Sequence, residues 1–210
     1  MDIVYVSKEE IVQELKDKGF AVLPNYWDIE KCAQAKKELL QVPSHVFEIG
    51  QGGDLRFQHA NKYLLTANSF LKDSFILEVA QSYSDCNVPH RIVAGIVQHK
   101  EGETIDSGGS WHVDSEQKAQ FKSIIYLEDV NSDNGPFVIV QKSRDLVNEL
   151  QKHSNLRISE DLVREHVNPE DIIEMTAPAG TCILADTTYL HRGKQIESGV
   201  RYTYTTYFYE

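Results

Sequence analysis

Two histidines and an aspartate hold the chemistry that this sequence can do. His112 and Asp114 lie two residues apart in the segment SWHVD, Ser110 to Asp114. On an extended chain successive side chains alternate, so both point to one face. A neutral imidazole and a carboxylate placed in this way can share a metal ion. Taken alone the motif is weak, because the same spacing describes a surface His beside a surface Asp. His191 adds a second imidazole at the end of TCILADTTYLH, a strand pattern from Thr181 followed by a turn. Two His and one carboxylate make the facial set that suits non-haem Fe(II) and leaves positions open for other ligands. The three must converge in space for this to hold.

Ten residues after His191 comes Arg201, which opens the run RYTYTTYFY. With period-2 alternation Arg201, Thr203, Thr205 and Tyr207 share one face, and Tyr202, Tyr204, Thr206 and Phe208 share the other. If the first face points into a barrel, Arg201 is buried and needs an anionic partner. A carboxylate held by both arms of the guanidinium would satisfy it, with Thr203 as an added hydroxyl donor. If the strand is an edge, the Arg head sits in water.

The elements that must position these groups change character along the chain. Ser7 with Glu10 forms a capping-box pattern ahead of an apolar stripe at Ile11, Val12 and Leu15, so a helix is expected from Ser7 to Gly19. Phe20 to Leu23 reads as a strand stopped by Pro24. A second helix is expected from Asp28 through Leu40, and a third from Phe70 to Tyr83. Val42 to Tyr63 is polar, Gly-containing and weakly periodic, and reads as a loop. After that, β-branched and aromatic runs predominate: 91–99, 121–127, 137–140, 171–175, 181–185 and 201–209. Charged helical stretches at 144–152 and 159–166 interrupt them. Helices first and strands afterwards fit an antiparallel double sheet, a jelly roll or related barrel, better than alternating βαβ units.

Composition bounds the function. The 210 residues suit a single domain, a mostly helical part over 1–85 and a β core over 90–210. With 21 Lys+Arg against 32 Asp+Glu, the net charge of −11 repels phosphate backbones and anionic membranes. Cys32, Cys86 and Cys182 are odd in number and have no CxxC spacing, so neither a disulfide framework nor a thiolate zinc site is expected. No signal-peptide pattern or membrane-length apolar run is seen, and the expected location is cytoplasmic.

The ordered set of motifs resembles the iron(II)/2-oxoglutarate dioxygenases, and within them the phytanoyl-CoA dioxygenase-like family. The resemblance spans most of the chain. It rests on LKDKGFAVLP from Leu15 to Pro24, WHVD from Trp111 to Asp114, and NGPFVIVQKSR from Asn134 to Arg144. AGTCILAD from Ala179 to Asp186, followed by His191 and Arg201, completes it. In the NGP segment Gln141-Lys142 stands where the family has Pro-Gly.

The resemblance implies a double-stranded β-helix (jelly roll, cupin-like) flanked by helices. It implies Fe(II) held by His112, Asp114 and His191, with 2-oxoglutarate as co-substrate and O2 as oxidant. Succinate and CO2 would be released as a small-molecule biosynthetic intermediate is hydroxylated or otherwise oxidised. Arg201 would hold the distal carboxylate of 2-oxoglutarate. Gly193 replaces the Ser or Thr usual two residues after the distal His, which makes Thr203 the candidate helper. Because Asp114 is present, hydroxylation or desaturation is favoured over halogenation.

Gln98 and Tyr126, on the strands either side of the metal motif, are candidates to face the co-substrate or substrate. Arg56, His59 and Lys62, in the polar segment where the family has lid elements, are candidates for substrate contact. Trp111 should point away from the site, and Asp106 to Ser110 is a candidate approach to it. Two other readings use the same residues: a jelly roll that keeps a metal for ligand recognition without turnover, and a zinc hydrolase, which lacks a well-placed Glu base.

Overall fold

The computed structural model of the chain describes residues 7–50, 54–84, 89–98, 110–114, 120–150 and 157–209. Helix α1 (Lys8–Lys18) begins at the expected capping box. The Ser7 hydroxyl accepts from the Glu10 N–H, and the Glu10 carboxylate accepts from the Ser7 N–H at 2.8 Å. It ends at Gly19, whose φ of 90° is left-handed. Strand β1 (Phe20–Leu23) and helix α2 (Ile29–Leu40), capped by Asp28, follow as expected.

The polar segment after α2 is not simply a loop. It holds two short strands, β2 (Glu48–Ile49) and β3 (Leu55–Gln58), which extend the larger sheet. Their four-residue and two-residue lengths give too little alternation to stand out. The expected third helix is two helices, α3 (Leu65–Leu71) and α4 (Ser74–Ser84). The break falls where the Asp73 carboxylate accepts from the Ile76 N–H at 3.1 Å, which starts a new helix.

The remainder is mostly strand: β4 (Arg91–Gln98), β5 (Trp111–His112), β6 (Gln120–Tyr126), β7 (Phe137–Val140), helix α5 (Arg144–Leu150), β8 (Arg157–Ile158) and helix α6 (Glu160–His166). Strands β9 (Ile172–Glu174), β10 (Cys182–Asp186), β11 (His191–Gly193) and β12 (Val200–Tyr209) complete it. Residues 99, 106–109 and 151–152, and with them parts of the expected strand, approach loop and helix, lie outside the described residues, as does Cys86.

Two antiparallel sheets face each other. The larger has strand order β1-β10-β6-β12-β4-β3-β2 and the smaller β8-β5-β11-β7-β9. This is the jelly-roll arrangement. The outer face of the larger sheet, with Phe121, Ile125, Leu184, Tyr204 and Phe208, packs on the helices through Ile11, Leu15, Phe70 and Val79. Aromatic and β-branched residues suit this surface because they bury large area at little entropy cost. Since the helices cover that face, the opposite face of the same strands must look towards the smaller sheet.

Cross-strand register fixes what stands on that inner face. One row runs Tyr126, Thr203, Gly95 and Arg56, and the next Ile124, Thr205, Val93 and Gln58. A further row places Tyr207 between Lys122 and Arg91. The back of the smaller sheet has its own core, built on Trp111, Val113, Val138, Ile158 and Leu190. Among the described residues no helix is long and apolar enough to cross a membrane.

Candidate metal centre

Strands β5 and β11 pair so that His112 and His191 are direct cross-strand neighbours. Their rings lie 4.4 Å apart, centroid to centroid. Each Nδ1 lies against the carbonyl two residues earlier, Ser110 at 2.8 Å and Tyr189 at 2.9 Å. A carbonyl only accepts, so each Nδ1 carries the proton and each Nε2 presents a lone pair. Asp114 follows β5, its N–H donating to the Thr187 carbonyl at 3.1 Å. Its carboxylate lies 3.8 Å from His112 Nε2 and 3.3 Å from His191 Nε2. One ligand atom from each of the three falls within 4.8 Å of the others.

The electrostatics suit a cation ligand set. Burial, reinforced by His191, pushes the His112 imidazole down to about 3, so it is neutral at physiological pH. Burial pushes the Asp114 carboxyl up, but the ion pair with the Lys122 ammonium outweighs it and holds the group well below the usual carboxylate range. Buried His191 Nε2 has no hydrogen-bond partner, so a lone pair is left aimed at the centre of the triad. An orphaned imidazole nitrogen beside a carboxylate fits a divalent metal.

The backs of the two His-bearing strands are tied together. Trp111 points away from the site and is buried, as its parity with His112 requires. Its Nε1 donates to Glu160 at 2.9 Å, Arg192 donates to the same carboxylate oxygen at 2.7 Å, and the Arg192 guanidinium stacks 4.2 Å over the Trp111 ring. The Leu190 N–H donates to the Ser143 hydroxyl at 2.8 Å, which donates to the Val140 carbonyl. This gives the serine of the NGP segment a purpose: it fixes the turn that delivers His191.

The triad opens into a cavity of about 650 Å³ that Arg201, Thr203, Tyr126 and Arg56 also line. Arg201 is inward-facing, and its Nη1 is buried without a partner. The reading with its head in water is therefore set aside. Burial lowers the guanidinium pKa, with Tyr126 and Asp54 partly opposing. The Tyr126 phenol accepts from the Phe137 N–H at 3.0 Å, so its own O–H remains to donate. Gly135 explains the glycine of NGP: its φ is 74°, and a Cβ there would stand 2.6 Å from Ile196, 2.7 Å from the Lys194 carbonyl and 3.4 Å from Arg201 Nη1.

Three of the expected contacts are elsewhere. Gln98 is exposed at the end of β4, because Val97, Gly95 and Val93 hold the inward parity. His59 and Lys62 are exposed, at and after the left-handed turn that closes β3, and neither lines the cavity. Arg56 does line it and is paired with Asp54 at 2.5 Å. The residue that sequence reasoning passed over is Lys122. It is buried, faces the cavity and forms an ion pair with Asp114. Its signal was available: four residues before Tyr126, it shares that residue's face in an otherwise apolar run.

Solved structures share this architecture. The carbocyclase SnoK of nogalamycin biosynthesis, a non-heme alpha ketoglutarate-dependent enzyme, superposes with a TM-score of 0.73 at 16% identity, over 99% of this chain and 85% of its own. The chain has the fold of the 2-oxoglutarate-dependent non-haem enzymes. The epimerase SnoN, in complex with Fe3+, alpha ketoglutarate and nogalamycin RO, gives 0.71 at 14% identity over 97% and 83%. HygX from Streptomyces hygroscopicus, with nickel, 2-oxoglutarate and hygromycin B bound, gives 0.64 at 14% identity over 97% and 87%. No family model matches the chain, and no curated protein does.

Proposed function

We propose that the protein is an Fe(II)- and 2-oxoglutarate-dependent oxygenase that oxidises a small-molecule biosynthetic intermediate. The observation that carries this is the shared cavity. The His112–Asp114–His191 set and the unpartnered buried Arg201 open into one space. A metal-only binding module needs no orphaned cation facing its metal. An oxygenase that must hold a dianionic co-substrate does.

In this reading His112, Asp114 and His191 hold Fe(II), and Arg201 anchors the distal carboxylate of 2-oxoglutarate. When bound, the metal would activate O2, the oxidant, with 2-oxoglutarate giving up two electrons as it leaves as succinate and CO2 and the substrate giving up the other two. The chain's residues do the rest. Burial keeps His112 neutral so that it can ligate. Tyr126 donates its O–H to the carboxylate that Arg201 holds, and Thr203, on the next position of the same face, is the second hydroxyl. Gly95, opposite Thr203, leaves room above the sheet for the co-substrate chain, since a Cβ there would meet Thr203 Oγ1 at 3.0 Å. Apolar Val93, Ile124 and Phe137 on the walls keep water from the reacting end.

Hydroxylation is the favoured outcome, because Asp114 fills the position that a halide would need. SnoN and SnoK, an epimerase and a carbocyclase, show that this fold also hosts reactions other than hydroxylation. The cavity volume suits a small molecule. The unpaired Cys32 and Cys182 suit a reducing, cytoplasmic setting.

The test is anaerobic. Fe(II) followed by 2-oxoglutarate should produce a visible metal-to-ligand band, lost in Asp114→Ala. Oxygen should then yield succinate. Absence of both the band and succinate would sink the proposal.

A further inference from the structure

A cationic row begins on the cavity wall with Lys122 and Tyr207 and continues past Tyr207 to Arg91, which stands behind the wall. Tyr207 on β12 has Lys122 of β6 as its cross-strand neighbour on one side and Arg91 of β4 on the other. Lys122 Nζ lies 4.7 Å from the Tyr207 ring centroid and the Arg91 guanidinium carbon 4.5 Å. Two cations thus flank one aromatic ring. Lys122 is nine-tenths buried, and Arg91 Nε is buried with no partner. Among the described residues the carboxylate paired with this row is Asp114, on Lys122.

That single carboxylate is also the metal's. Once a divalent cation takes Asp114, three positive centres are gathered round one negative group in a desolvated place. Such an imbalance is costly unless a further anion arrives. 2-Oxoglutarate anchored at Arg201 would bring its second carboxylate only as far as the metal, beside Asp114 and its partner Lys122, and so leaves Arg91 uncompensated. Arg201 and Tyr207 are six residues apart on one face of β12, about 20 Å along the strand, so a five-carbon diacid that runs from Arg201 to the metal does not extend across Tyr207 to Arg91. Lys122, paired with Asp114, is where the row meets the metal site. Lys122 and Tyr207 both line the cavity there.

Resting on the oxygenase reading, we propose that the Lys122–Tyr207–Arg91 row is an anion-recognising subsite, and that the primary substrate carries a carboxylate or phosphate group. Lys122 supplies a compact ammonium donor and Arg91 a guanidinium with spare donors. Tyr207 spaces them and offers a flat apolar face to the carbon skeleton beside the anionic group. The protein's net charge of −11 would repel such a substrate at long range, so recognition must be made locally by these residues.

The experiment uses the full-length protein loaded with Mn(II), which binds without turnover, and saturated with 2-oxoglutarate. Paramagnetic relaxation of added probes reports binding beside the metal. The probes are phenyl phosphate and benzoate, with the neutral benzamide and benzyl alcohol as matched controls. We expect saturable relaxation of one or both anions and little of the neutral pair. Relaxation of benzoate alone assigns a carboxylate, and of phenyl phosphate alone a phosphate. Arg91→Gln, which touches no metal ligand, and Lys122→Met should each weaken the anion at least about ten-fold at equal Mn(II) occupancy. Equal relaxation by neutral probes, or wild-type anion affinity in both variants, overturns the subsite while leaving the oxygenase reading intact. Failure of the wild-type protein to bind Mn(II), or of 2-oxoglutarate to alter the Mn(II) signal, overturns the oxygenase reading and the subsite with it.

Discussion

Replacing Arg201 tests the proposed co-substrate site most directly. Its guanidinium faces the cavity and Nη1 is buried without a partner, so the pair it would form with 2-oxoglutarate is desolvated. Removing one member of a buried charge pair costs roughly 3–5 kcal/mol, and each 1.4 kcal/mol is about a factor of ten in affinity. Arg201→Ala leaves the Tyr126 and Thr203 hydroxyls in place and opens room for water, which brings the loss to the low end. The expected weakening of 2-oxoglutarate is about 100-fold. Arg201→Lys keeps the charge but loses the two-armed geometry, and a loss of about ten-fold is expected. Two anaerobic titrations measure this, one of 2-oxoglutarate into the Fe(II) protein by its visible band and one of Fe(II) against a competing chelator. Iron affinity should move less than about three-fold. The reasoning fails if Arg201→Ala binds 2-oxoglutarate as tightly as wild type. It fails equally if iron and co-substrate affinity fall together, since Arg201 would then be acting on the fold.

Four further outcomes are expected. Glu160→Ala removes the acceptor shared by Trp111 and Arg192 and should loosen the strand pair that carries both histidines, weakening Fe(II) about ten-fold in a chelator competition. Gly135→Ala, at φ 74° and with a Cβ 2.6 Å from Ile196, should cost about 1–3 kcal/mol of stability in a denaturant titration and weaken 2-oxoglutarate by displacing Arg201. Tyr204→Phe removes a buried hydroxyl that donates to the Ala35 carbonyl at 3.1 Å and lies 3.0 Å from Thr66 Oγ1. It should lower stability by about 1–2 kcal/mol with co-substrate affinity unchanged. Burial pushes the Cys32 thiol up to about 11 and Cys182 well above its ordinary value. A raised thiol pKa favours the unreactive neutral form, so iodoacetamide at pH 8 should label neither in the native protein and both in denaturant, by peptide mass mapping.

Local rules were legible wherever one residue decides an element. The Ser7–Glu10 capping box and Gly19 set both ends of α1, and the alternation from Arg201 to Phe208 sorted the cavity face of β12 from the face on the helices. What failed were properties of pairing. The β2–β3 hairpin is too short to show a period, and its stability comes from β4 alongside. Gln98 is exposed and outside the cavity lining because of the parity of β4, which the pairing of Val200 with Gln98 fixes and the sequence of β4 alone does not. Arg56, His59 and Lys62 share the polar segment where the family has lid elements, yet of the three only Arg56 is on the strand whose face turns inward.

Lys122 shows why overall charge does not describe the cavity. The chain carries 21 basic and 32 acidic side chains, but among the described residues the cavity wall reverses that balance. Arg56, Lys122, Arg157, Lys194 and Arg201 line it, against Glu48, Asp54 and Asp114. The reversal follows from how a sheet sorts side chains: each strand sends alternate residues inward, and a few basic residues at inward positions decide a small cavity whatever the outer surface carries. One of the three acids is reserved for the metal, and Arg56 and Asp54 cancel as a pair. Arg201 accounts for one end of a dianionic co-substrate. Lys194 is paired with Glu174, whereas Arg91, beyond Tyr207 from Lys122, keeps a buried Nε without a partner, and an anion on the substrate is the chemistry proposed to meet it.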